Sequence, residues 1–149
     1  MKIVAVFLVS ASIGILYRIP RTLVVYASLV GVAAWLIMYY TMIAGATVVL
    51  ADFLASIAVG IMAEILARSL KKPATIFIIP GFIPLVPGSD AYTTMLYMVK
   101  GQYVSGVSMG MQTMLTASAI AFGIFVSSAM FKLVINYKTE SSWQNVDKS

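Results

Sequence analysis

The sequence predicts an all-α fold: a polytopic membrane helix bundle of about five transmembrane helices, the fourth broken by a Pro/Gly stretch. Three observations predict it. Of the 149 residues, 61% are hydrophobic and only 10% are charged, whereas a soluble domain carries about 25% charged residues. One core of this size could not enclose so much apolar side chain, and lipid is the solvent for the excess. Apolar stretches of ~18 residues or more, long enough to span a bilayer, alternate with basic residues. Finally, Pro80 to Gly88 holds three prolines and two glycines in nine residues, a composition that a regular helix does not accommodate.

The first apolar segment runs from Ile3 to Tyr17. It is short for a span. Arg18 and Arg21 follow it and only Lys2 precedes it, an order that favours a retained helix over a cleaved signal. Pro20 marks the start of the second segment, Thr22 to Tyr40, whose Trp35, Tyr39 and Tyr40 form an interfacial aromatic belt. An uncharged connection leads to the third segment, Val48 to Ala67, closed by Arg68, Lys71, Lys72 and Pro73.

The fourth segment, Ala74 to Val99, divides in two. A short first half, Thr75 to Ile79, precedes an unwound stretch. A second half-helix begins at Ser89 as N-cap, with Asp90 in its first turn. The fifth segment runs from Gly106 to Val134. The membrane domain thus covers 1–136, and 137–149 is a short polar tail of the flexible kind found at chain ends.

Basic residues set the orientation. With the fourth segment crossing fully, Arg18, Arg21, Arg68, Lys71, Lys72, Lys132, Lys138 and Lys148 share one side, eight against the two of Lys2 and Lys100. A re-entrant fourth segment would reduce the contrast to six against four. The larger contrast places the N-terminus outside and the C-terminus in the cytoplasm.

Several function classes fall away. With no Cys and no His, thiolate chemistry, His-based acid–base catalysis and Cys/His metal sites are excluded. The net charge of +5 is spread between apolar segments, which argues against nucleic acid. An intramembrane protease would need a Ser/His, Ser/Lys or paired-Asp arrangement. The two Asp of the spans, Asp52 and Asp90, have no such local motif. The expectation is a non-enzyme without cofactor or metal, embedded in the lipid bilayer.

Transport chemistry concentrates in the broken segment. Unwound backbone persists in a bilayer only where protein or a water-filled cavity satisfies it, and such discontinuous helices form substrate sites in transporters. The start of the second half-helix offers free N–H groups and a partial positive charge. Asp90, Tyr92, Thr93, Thr94 and Tyr97 lie on it, with Asp90, Thr93, Thr94 and Tyr97 spaced to share a side. The plain alternative is a proline-rich loop at the membrane surface.

Acids within spans are functional candidates because burying a charge in hydrocarbon costs about 3 kcal/mol. Asp52 and Glu64 are therefore candidates for ion coupling. Asp52, Ser56, Gly60, Glu64 and Arg68 recur every four residues, a stripe that turns by ~40° per step. Glu64 alternatively pairs with Arg68 one turn on, and Asp52 alternatively sits at the outer interface. A second stripe, Ser105, Ser108, Gln112, Thr116, Ala119, Gly123 and Ser127, reads as a helix-packing face. Gly106 and Gly110 form a GxxxG pair beside it, and Gln112 and Thr113 are the members placed toward a solute path.

Pro84-Leu85-Val86-Pro87-Gly88, followed by Ala91-Tyr92-Thr93-Thr94-Met95, resembles the P-x-x-P-G-x-x-A-Y-x-x-M signature of the threonine/serine exporter family, in particular the small subunit of its split, two-gene form. Arg18-Ile19-Pro20, Leu29-Val30-Gly31, Asp52-Phe53-Leu54-Ala55-Ser56, Val59-Gly60 and Leu115-Thr116-Ala117-Ser118 extend the resemblance from about Leu16 to Phe125. It implies a proton-driven inner- or plasma-membrane exporter of threonine and serine, or of small dicarboxylates such as succinate. It also implies a larger membrane subunit as partner; a homo-oligomer is the other arrangement. Pro84, Pro87, Gly88 and Tyr92 are the motif residues that carry over. Asp90 departs from the family pattern, where a neutral residue is common. A non-transporting scaffold subunit is the competing class.

Overall fold

The computed structural model describes residues 1–146, with side chains over residues 1–133. Among them the fold is all-α, with six helices: α1 Lys2–Leu16, α2 Arg21–Ile43, α3 Val48–Ser69, α4 Thr75–Phe82, α5 Gly88–Val99 and α6 Tyr103–Val146. A single 3-10 turn, Ile83–Leu85, follows α4. Three helices are long and apolar enough to cross a membrane: α2, α3 and the Tyr103–Leu133 part of α6. Lys2–Leu16 and Thr75–Leu85 are shorter apolar helices. The polar tail drawn at 137–149 lies among residues whose side chains fall outside those described.

Leu8, Ile15, Leu29, Leu54, Ile61, Ile65 and Phe125 stand exposed on the long flanks. The interior is instead built from Ala27, Ala34, Ala51, Ala55 and Ala63 with Ser28 and Ser56, all fully buried. Large side chains face outward and small ones face the neighbouring helix, which is how helices pack when lipid supplies no hydrophobic drive between them.

Contacts fix the directions. Ser10 meets Gly31 and Gly14 meets Val24, so α1 and α2 are antiparallel. Leu23 and Ala27 cluster with Ala63 and Ala67, and Val30 and Ala34 with Ala55 and Val59, so α2 and α3 are antiparallel too. Ser56 meets Gly123, Gly60 meets Ser127, and Phe53 stacks on Phe122. Helices α3 and α6 therefore run parallel, and the chain between them, α4 through α5, returns along the bundle.

Two helix ends carry basic residues in the left-handed region: Arg18 at φ 55° and Lys71 at φ 52°. Ile19 N–H donates to Gly14 C=O and Lys72 N–H to Ala67 C=O, the six-to-one bond of a Schellman cap. Pro20 and Pro73 follow, so both turns on this side end a helix and forbid its continuation in the same way.

Candidate functional site

The broken segment is two dissimilar halves. Helix α4 lies against α1, α2 and α3. Phe77, Pro80 and Gly81 are buried in it. A Cβ on Gly81 would stand 2.8 Å from Val30 and 3.0 Å from Val59, so only glycine lets α4 approach α2 and α3 this closely. The first half extends to Phe82 rather than ending at Ile79, and Pro80 is accepted within it. Proline removes the N–H owed to the Ile76 carbonyl, and the buried setting holds the helix together across that lost bond. Leu85 shares a core cluster with Ala34 and Ala55. Ala34 lies about 20 Å along α2 from Arg21, so the break sits at depth in the bundle and not at its end.

The non-helical part is narrower than the sequence suggests. It comprises Val86 and Pro87 only. Pro87, at φ −76° and ψ 56°, centres an inverse γ-turn. Gly88 N–H closes it by donating to Val86 C=O at 2.7 Å. This turn already starts α5 at Gly88, so Ser89 is not the N-cap, and its hydroxyl instead donates to Asp90 Oδ1 at 3.2 Å. A Cβ on Gly88 would meet nothing within 4 Å; the joint opens onto free space. Pro84 stands half-buried in the 3-10 turn before it.

Helix α5 has no buried residue. Its main neighbour is α6, which it meets through Thr94 on Gly110 and Met98 on Gly106. Tyr92 is exposed. Thr93 and Thr94 donate their hydroxyls back to the carbonyls of Ser89 and Asp90, each at 2.8 Å.

Asp52 is 2% exposed, and its Oδ1 has no hydrogen-bond partner. It sits one turn from Ala55, whose cluster includes Leu85, so it stands level with the joint, four residues into α3. Asp90, 38 residues on in sequence, stands in the first turn of α5 on the far side of the same joint. Glu64 is elsewhere, three turns toward the basic end of α3. It pairs with Arg68 at 3.7 Å, and that guanidinium also lies 5.4 Å over the Phe131 ring.

On α6 the second stripe holds in its later half. Thr116 is buried and Gly123 and Ser127 are buried against α3, but Ser105, Ser108 and Gln112 are exposed. The early contact face is the GxxxG pair Gly106 and Gly110. Thr113 is half-buried and donates to Met109 C=O at 2.8 Å. An open recess of about 550 Å³ at the α5–α6 turn, lined by Tyr97, Gly101, Gln102 and Tyr103, is about two turns from Asp90. Sequence reasoning passed over Ser10. It is fully buried against Gly31, and its hydroxyl has no partner. Nothing in the local pattern of α1 distinguishes it from its neighbours.

Apolar helices of spanning length, small-residue interfaces and outward-facing large side chains define a multi-pass membrane protein. Its residues 2–130 match the family described as Threonine/Serine exporter, ThrE. The chain belongs to the threonine/serine exporter family, a family of transporters and not of enzymes. No solved structure matches it.

Proposed function

We propose that this chain is the small membrane subunit of a secondary exporter of threonine- and serine-type metabolites, coupled to the proton gradient. The observation that carries this reading is the joint at Val86–Pro87: one half of the broken segment is locked in the bundle, the other starts beside a buried acid. Asp52 is the ion-coupling residue in this reading. Pro84, Pro87, Gly88, Asp90, Tyr92, Thr93 and Thr94 line the solute path. Gln112 and Thr113 line it only where α6 meets another subunit.

In this reading the chain crosses five times, with α4 and α5 together carrying it back between parallel α3 and α6: their 8 and 12 residues and the three of the 3-10 turn span about 36 Å. The eight-to-two distribution of basic residues then puts the N-terminus outside and the C-terminus in the cytoplasm, in the inner or plasma membrane. The partner is a larger membrane subunit or a second copy. Replacement of Pro87 or Gly88 by Leu abolishes efflux while leaving membrane insertion intact; normal efflux in both variants refutes the reading.

A scaffold role without transport is the second reading, favoured by the fully unburied α5, which is open to a partner. Tyr92→Phe and Thr94→Val distinguish the two when efflux and complex assembly are measured together. Lost efflux with retained assembly excludes the scaffold.

A further inference from the structure

Asp52 and Asp90 approach from different helices, and their register can be counted on α6. Ser56 meets Gly123 on parallel α3, so Asp52, one turn earlier, lies opposite Ala119. Thr94 meets Gly110 on antiparallel α5, so Asp90, one turn earlier, lies opposite Met114. The two acids are then about 8 Å apart along α6. Between their levels stands Thr116, 1% exposed, whose hydroxyl donates to Gln112 C=O at 3.0 Å and keeps its lone pairs free.

Neither acid has a basic partner: among the described residues the one ion pair is Glu64–Arg68. A buried carboxylate oxygen without a donor is costly, and Asp52 Oδ1 is one. Three oxygen-bearing side chains thus stand within about a turn and a half of one another along α6, on the side of the bundle where Gly88 meets open space. We propose that Asp52 and Asp90 seat the ammonium group of the exported solute, with Thr116 as a neutral acceptor between them. The proposal rests on the export reading and deepens it. The solute's own carboxylate, if it has one, turns to the first-turn N–H groups of α5, which lack intrahelical acceptors as at any helix start. A dicarboxylate brings no cation to the two acids and is repelled by both, so the seat selects amino acids over succinate-like solutes.

The test uses inside-out membrane vesicles from the cells in which the chain is native, with a strain lacking the chain as control, and export is read as uptake of labelled L-threonine. Threonine methyl ester, which keeps the ammonium, competes; N-acetylthreonine and succinate do not. Asp90→Asn and Asp52→Asn each lower threonine uptake by about ten- to a hundredfold at equal abundance in the membrane, the loss of a charge-assisted hydrogen bond. If Asp52→Asn fails to reach the membrane, the half-exposed Asp90 decides the question. Uptake unchanged in Asp90→Asn, or N-acetylthreonine competing as well as the ester, overturns the seat while leaving export standing. Threonine uptake that is the same with and without the chain, in membranes that hold its native neighbours, overturns the export reading and the seat with it.

Discussion

The two halves of the broken segment have similar lengths and opposite surroundings. Helix α4 is wedged among α1, α2 and α3, with Phe77, Pro80 and Gly81 buried. Helix α5 buries nothing and rests on α6. Each half contains a glycine, and the two glycines do different work. Gly81 is where two valines come too close for any side chain; Gly88 faces open space. The difference separates the residues that hold the bundle from those left free to meet a solute or a partner.

A matched pair of substitutions can break that contrast. Gly81→Leu overpacks the core against stiff, β-branched Val30 and Val59 and destabilises the fold by about 3 kcal/mol. It is expected to reduce the folded protein recovered in detergent. Gly88→Leu leaves thermal unfolding within about 0.5 kcal/mol of the parent chain and removes efflux. Equal melting losses in the two variants would show that the joint is as tightly packed as α4, and the contrast would fall.

Asp52→Asn sharpens the same contrast from the buried side. It removes an unpartnered charge, so unfolding in detergent is unchanged or shifted upward by about 1 kcal/mol, while efflux falls. A variant that melts earlier and still transports would make Asp52 a structural acid. Tyr92→Phe follows with a smaller effect. The side chain is exposed, so stability stays within about 0.5 kcal/mol and any several-fold loss of efflux reports contact with solute or partner.

Much of this architecture was legible in the sequence, because lipid imposes simple rules. Helix α3 begins at Val48 as read, and Arg68, Lys71 and Pro73 mark its end. The break was legible as a composition. Its width was not: Pro80 reads as a stop, yet α4 passes through it because burial between α1, α2 and α3 outweighs one lost hydrogen bond. Ser89 reads as a cap, yet the γ-turn at Pro87 starts the helix two residues sooner. The upper α6 stripe misled for a related reason. Ser105, Ser108 and Gln112 share a face by spacing, but α5 docks on Gly106 and Gly110, where no side chain keeps it away. Least legible was the approach of Asp52 to Asp90, since it depends on the register of α3 and α5 on a third helix.

Glu64 gives the smallest predicted effect and the clearest boundary of the site. It lies on the same four-residue stripe as Asp52, and three steps of ~40° carry it to a different side of α3. There it meets Arg68 at 3.7 Å, and the side chain of Arg68 is 46% exposed. An ion pair so open to its surroundings contributes about 0.2–1 kcal/mol. Glu64→Gln is therefore expected to lower the unfolding free energy by less than ~1 kcal/mol and to leave efflux near that of the parent chain. Arg68 retains its place over Phe131, so the end of α3 stays anchored to α6. A large loss of efflux in Glu64→Gln, with melting unchanged, would extend the proton path from Asp52 along α3 to its basic end. Asp52 would then be one member of a relay and not the sole coupling acid.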